Sequence, residues 1–467
     1  MNNKTVRILG QKKSDFDELV EKGVIQLRDA RLIPSFKMGD EVGLASVLLS
    51  SMRMIREFKR MILSDLKMRK GGHFYAYNEV VFPQFKNCRI DGLILIESGG
   101  VIKDAAIFEM KNGSNEVNRE QIEKYIDLAR SCSIPRLVTV SNQFVSEPTQ
   151  SPVNVKSIRS VNQYHFSWSY ILTLAHILLF DNEINIEDPD QVELMKEVVK
   201  YFEYDKSGIC GFTQMKKGWG KIVEKINLGT RIKLSDTDLD EAVISWEQEE
   251  KDLALILSKN LGVFVTSGET KYKGDLNSRI RGDKKRLKEE KILSSDLKVK
   301  NAVSDIRIDA SFEKKTVEMS VILRAPQDKT IRGQLSWIKR QLRKCKKKNA
   351  KKFLKVQQEI LIDISIKNTS KSERVNINNL DSIYKEIKDR EIKEFKVMMI
   401  KDFSKNFSSC RKFVEIIEEM LLDYYSGIVQ FLIKWEEPAP KMKEEGKDNN
   451  INSRIKSKKI KLSKLKK

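Results

Sequence analysis

Three polar residues stand inside otherwise apolar stretches: Asp91 in RIDGLIL, and Glu109 with Lys111 in AIFEMKNG. An aspartate at the start of an apolar, strand-like run fits poorly by propensity, which marks it for something other than packing. If the two runs pair as a hairpin around Ser98-Gly99-Gly100, residue 100 is the midpoint of 91 and 109. Asp91 and Glu109 then face each other across the ladder, with Cβ atoms about 4.5–5.5 Å apart. Lys111, two residues on, points to the same side by the strand period. Two carboxylates this close repel unless a cation or a proton lies between them. Oxygen donors with no His or Cys among them suit Mg2+ or Mn2+. An ammonium beside such an ion can orient a water or offset charge at a phosphorus centre. A plain hairpin with exposed Glu and Lys pairs is the competing reading of the same triplet.

Positioning these groups requires a particular set of elements. Gly43 to Lys67 has helical spacing through Leu44, Val47, Leu48, Met52, Ile55, Phe58 and Ile62, which predicts one long helix. Phe74–Phe85, Arg89–Ile96 and Lys103–Met110 are aromatic, β-branched or alternating and read as three strands. Asn118–Ser131 returns to helical spacing, Arg136–Val140 is a buried strand, and Trp168–Phe180 is an apolar helix. The predicted order is α, β, β, β, α, β, α.

That order, with Asp91, then Glu109-Met110-Lys111, then Gln121 on the following helix, resembles the PD-(D/E)XK nuclease superfamily over about residues 41 to 180. The resemblance implies an α/β fold with a restriction-endonuclease-like αβββαβ core and a Mg2+-dependent endodeoxyribonuclease activity. It implies that Asp91 and Glu109 are metal ligands, that the Met110 carbonyl can add a third, and that Lys111 is the catalytic lysine. Glu79 would be an additional carboxylate serving metal and catalysis, Glu41 a further acid at the start of the long helix, and Gln121 would orient the site. The sequence departs from the family name in having Ile90 where a proline precedes the aspartate.

The chain has 467 residues, enough for two or three domains. The expected division is 1–235, a nuclease-like domain; 236–436, an α+β domain; and 437–467, a basic disordered tail. In the second domain Thr316–Leu323, Glu359–Ile366 and Glu394–Ile400 read as strands, and Ile331–Lys355, Asp381–Asp389 and Ser409–Phe431 as helices.

Formal net charge is +21, and Ile331–Lys355 together with Lys441–Lys467 holds 19 of those excess charges. The first stretch reads as a basic amphipathic helix on which Lys339, Arg340, Arg343, Lys344 and Lys347 are candidate phosphate contacts. A nucleic acid, DNA in the first instance, is the expected partner, gripped by its backbone without base readout. Two alternatives stand beside the nuclease: an inactive nuclease-fold binding protein, and a membrane-surface or protein-interaction module using the basic helix. Self-association or a protein partner is compatible with either.

The longest apolar run, Ser167–Phe180, is short of the roughly 20 residues that span a bilayer, and the polar start has no signal-peptide character, so a cytoplasmic location is expected. Five scattered cysteines and three histidines offer neither a disulfide framework nor a zinc pattern. His165 and His176 read as packed or capping residues, and the glycines from Gly208 to Gly220 match no nucleotide-binding motif.

Overall fold

Runs of β-branched and aromatic residues separated by helical periods produce two sheets, one in each half of the chain. The computed structural model describes residues 7–437 except 30–38, 86–87, 114, 145–148, 150, 154, 156–157, 180–185, 270–271, 273–275, 370–371, 381 and 388–389. The expected basic tail therefore lies, from residue 438 on, outside the described residues.

The first half runs α1 (Lys13–Glu21), β1 (Gln26–Asp29), α2 (Glu41–Met54), α3 (Arg56–Asp65), β2 (His73–Phe82), β3 (Cys88–Ser98), β4 (Val101–Met110), α4 (Arg119–Ser131), β5 (Arg136–Ser141), β6 (Asn162–Ser167), α5 (Trp168–Leu179) and α6 (Pro189–Glu203). Its six strands lie in sequence order, antiparallel through β4 and parallel from β4 to β6. Both faces are covered, as a sheet with parallel members requires. On one face α2, α3, α5 and α6 bury Leu44, Leu48, Trp168 and Met195 against Ile94, Phe108, Met110 and Val140. On the other, α1 and α4 bury Phe16, Ile122 and Ile126 against Leu93, Leu95 and Ile107.

The β3–β4 hairpin sets the register of the whole arrangement. Gly99 and Gly100 both have positive φ, +65° and +75°, and form a two-residue turn with Ser98 opposite Val101. A bulge follows: Glu97 pairs with Ile102, but Ile96 pairs with Asp104, so Lys103 is the extra residue. The expected midpoint at residue 100 is thus reached by a turn plus a bulge. Without the bulge every side chain beyond it would change face.

The predicted long helix is two helices. Ile55 is extended (ψ 108°), and the freed Arg56 N–H donates to Gln191 Oε1 of α6 at 2.8 Å. A side chain from a neighbouring helix of the same layer thus starts the second helix.

The second half runs α7 (Lys217–Asn227), α8 (Thr237–Leu261), β7 (Val265–Ser267), α9 (Leu276–Glu290), β8 (Ile292–Val299), β9 (Ile306–Ser311), β10 (Thr316–Arg324), α10 (Ile331–Lys348), α11 (Ala350–Val356), β11 (Ile360–Ile366), β12 (Ser372–Asn376), α12 (Ile383–Ile387), β13 (Ile392–Asp402) and α13 (Cys410–Gly427). Its seven strands form an antiparallel sheet in the order β12-β11-β13-β10-β9-β8-β7. The core centres on Trp219, which meets Phe312 and Phe413 at 4.5 Å between ring centroids and stacks on Trp246 at 6.2 Å. The predicted Ile331–Lys355 helix breaks at Asn349, whose Oδ1 accepts from Lys352 N and caps α11.

Core membership marks a hand-over between the halves. Phe202 and Ile209 pack in the first half, whereas Phe212, Met215 and Trp219 pack in the second. The core hand-over falls at 209–212, because the apolar face of α7 packs on α8 and α13 of the second half.

Candidate active site at the end of β4

Beyond the pair Gly92–Phe108, the next residues of the hairpin are Asp91 and Glu109. Gly92 is required here: a Cβ would lie 2.6 Å from Leu49 Cδ1 and 3.1 Å from Phe108 Cβ. Its absence lets α2 come down on β3 beside the aspartate. Met110 N–H donates to Asp91 Oδ2 at 2.6 Å, while the Met110 side chain is buried on the α2 face. The two carboxyls lie close enough that the charge of Glu109 acts on Asp91.

Glu109 is 1% exposed. Its Oε1 accepts from Lys111 Nζ at 2.6 Å and from Gln121 Nε2 at 2.6 Å, and its Oε2 is buried with no partner. Gln121 is brought here by α4, whose start is capped by Asn118 Oδ1 accepting from Glu120 N. Its amide also donates to the Tyr125 hydroxyl (2.9 Å), which in turn donates to the Arg89 carbonyl (2.9 Å), tying α4 to β3. Tyr125 is one helical turn from Gln121, so the i, i+4 spacing carried a signal for it.

Glu41 enters from the start of α2. Its Oε2 is 3.6 Å from Lys111 Nζ, and its Oε1 accepts from Asn112 N (3.1 Å) and Asn115 Nδ2 (2.8 Å). The loop after β4 is thereby stitched to α2. Asn112 Nδ2 reaches further, to the carbonyls of Gly39 (2.8 Å) and Ser207 (2.5 Å).

Glu79 sits differently from its expected place. It has φ +50° in a bulge of β2, its Oε2 is 3.1 Å from Arg89 Nη1, and its Oε1 is buried without a partner. Among the described residues no group of three or more His, Cys, Asp or Glu side chains converges enough to hold a metal ion. The set Asp91, Glu109 and Glu79 is therefore not assembled as a three-acid cage. Two acids meet, and Lys111 holds one of them.

Burial, then the charge of Glu109, pushes the Asp91 carboxyl well above the usual carboxylate range. Burial also raises Glu109, against the pull of Lys111. For Lys111 burial works downward, but the bond and charge of Glu109, with Glu41 and Asp91, outweigh it and hold the ammonium above its ordinary value. Such shifted groups paired in one recess are a signature of functional sites as well as of ion networks. A cavity of about 830 Å3 adjoins them, lined in part by Phe85, Arg89, Gln121, Lys124 and Tyr125. Arg89 and Lys124 are balanced on this wall by Glu120 and Asp127.

The histidines are packed, as their setting in the sequence suggests. His165 shares Nδ1 with Thr139 Oγ1 and Nε2 with the Gln143 carbonyl, both at 2.8 Å, and burial pushes it down to about 4. His176 pairs with Glu203 at 2.9 Å.

On α10 the basic residues fall on two sides. Lys339 and Arg343 border a groove of about 160 Å3, and Arg340 and Lys344 border another of about 420 Å3 beside Trp337 and Trp435. Arg340, Arg343, Lys344 and Lys347 are exposed. Lys339 is half-buried, and burial together with Arg343 lowers its pKa. On α11, Lys352 and Lys355 are spent on Asp423 and Glu419. No family model, curated protein or solved structure matches this chain, and among the described residues no helix is long and apolar enough to cross a membrane.

Proposed function

We propose that the chain is a metal-dependent nuclease that hydrolyses DNA phosphodiester bonds at the end of β4, with the exposed bases of α10 holding the phosphate backbone. The observation that carries this reading is the meeting of Asp91, Glu109, Lys111 and Gln121 at one point, built from a hairpin and the helix that follows it. Hard oxygens with no His or Cys beside them fit Mg2+ or Mn2+, and the partnerless Glu109 Oε2 is an available donor. Asp91 and Glu109 would hold the ion, which when bound supplies Lewis-acid polarisation of a phosphoryl oxygen.

The remaining work belongs to the chain. Lys111 keeps a proton on Nζ and offers it as a hydrogen-bond donor to a water or a phosphate oxygen. Gln121 fixes the rotamer of Glu109, and Glu41 keeps Lys111 charged. Because the acid pair is protonated more readily than free carboxyls, cation entry displaces a proton and strengthens with pH.

A cleavage assay on linear, circular and single-stranded DNA with Mg2+ tests the proposal. Lys111→Ala is expected to lower the rate by about 10²–10⁴-fold, the range of one positioned proton-transfer group, with DNA affinity unchanged. Equal cleavage by the variant overturns the assignment.

A second reading, an inactive nuclease-fold binding protein, is favoured by one feature: Lys111 already neutralises Glu109, and no third acid joins the pair among the described residues. Calorimetry with Mn2+ separates the two, since only the nuclease gives heat that disappears in Asp91→Asn.

A further inference from the structure

The groove between α10 and the chain that follows α13 sets two indoles among its cations. Trp337, Arg340, Gln341 and Lys344 fall on one face of α10, at i, i+3, i+4 and i+7. Segment 432–436 lies against that face because Gln341 clasps it: Nε2 donates to the Ile433 carbonyl and Oε1 accepts from Ile433 N, both at 3.3 Å. Trp435 is thereby laid beside Trp337, with ring centroids 6.3 Å apart and planes at 81°. The cavity they line, about 420 Å3, is within the roughly 300–1,000 Å3 of small-ligand sites.

Arg340, Lys344 and Lys434, all exposed, stand on its rim, and Glu436 is the one acid among its described lining residues. The 18 residues of α10 include no acid at all. That excess calls for an anion, and the indoles call for a flat apolar group; an unpaired nucleotide carries both. A duplex keeps its bases stacked inside and offers the indoles nothing. Trp337, only 4% exposed, is too recessed for a bilayer surface to reach. A segment as basic as Lys441–Lys467 has the wrong sign for the groove.

We propose that this groove holds an unpaired nucleotide of single-stranded DNA, its base stacked on Trp435 and its phosphates on Arg340, Lys344 and Lys434. Trp435 Nε1 has no hydrogen-bond partner, so packing alone holds the ring, and Lys329 Nζ lies over it at 4.4 Å. A surface cation holds an aromatic face more weakly than a stacked base does, so the base displaces Lys329, whose ammonium then joins the rim. The proposal rests on the nucleic-acid reading above and gives it a substrate class, DNA with a single-stranded segment.

Fluorescence anisotropy of the full-length protein with a labelled oligodeoxythymidylate, or with a blunt duplex of the same length, tests it in EDTA, where cleavage does not intervene. The single strand is expected to bind the tighter. Trp435→Ala is expected to weaken the single strand at least about fivefold, the cost of one lost base stack, with duplex affinity little changed, and Trp435→Phe to recover most of the loss. Arg340→Gln with Lys344→Gln is expected to weaken the single strand and flatten its salt dependence. No preference for the single strand, unchanged single-strand affinity in Trp435→Ala, or equal weakening of both DNAs by it overturns the proposal. Because binding is read without metal, failure of the nuclease reading shows separately, as intact binding with no cleavage once Mg2+ is restored.

Discussion

Glu109 has one oxygen engaged twice and the other not at all: Lys111 and Gln121 share Oε1, while Oε2 is buried alone. Gln121 therefore acts through Glu109, as partners behind metal ligands do, and removing such a partner commonly costs about 10–100-fold in metal affinity or activity. Gln121→Ala is expected to show that loss in both Mn2+ calorimetry and single-turnover cleavage; unchanged values in both would leave it a surface residue. Asp91, Glu109, Lys111 and Gln121 were legible because two periods, of the strand and of the helix, fix their direction once the turn is found. Glu79 was not, because a non-glycine residue at φ +50° interrupts the strand period and nothing in YAYNEVV announces it. The grip of Glu41 on Asn112 and Asn115 joins residues more than seventy positions apart, which no local pattern reports.

Between elements, the hairpin and the helix resting on it decide whether the site exists. Gly92→Ala puts a methyl group into Leu49 and Phe108, and overpacking of this kind costs about 1–3 kcal/mol. A urea-unfolding midpoint lowered accordingly, with cleavage reduced through the displaced Asp91, is the expected result; a midpoint equal to wild type would mean that α2 yields freely. The bulge at Lys103 matters as much, since pairing that residue regularly with Ile96 would shift the ladder by one and move Glu109 and Lys111 to the opposite face of the sheet. Strands β2 to β5 were readable from alternation or an apolar run and the turn from its two glycines, whereas β1 and β6 were not anticipated. The break at Ile55 was not readable, because the apolar period continues through it and the stop comes from Gln191 of α6, distant in sequence. In the second half β8 and β9 were missed because Ser294, Asp296, Arg307 and Asp309 satisfy one another across the strands, which hides the apolar alternation.

For the molecule as a unit, two acids, Asp252 on α8 and Glu418 on α13, govern how stability responds to pH. Unfolded carboxyls titrate near 4, whereas Asp252 and Glu418 in the fold are held at about 8 and about 7. Between those values these two groups carry more protons folded than unfolded, so their contribution to stability declines as pH rises through that window, while buried His165, pushed down to about 4, contributes the other way up to its unfolded value near 6.5. The urea midpoint is expected to fall from pH 5 to pH 8 and to flatten in Asp252→Asn; a wild-type midpoint that climbs over the same range would contradict the assignment. The core hand-over at 209–212 was not legible in the sequence because residues 209–215 carry no linker composition. They are, in fact, fastened along their length: Asn142 donates to the Gly208 carbonyl and accepts from Cys210 N, Ser169 donates to the Cys210 carbonyl, and Asp252 accepts from Phe212 N. A tethered crossing of this sort fixes the bearing of one half on the other.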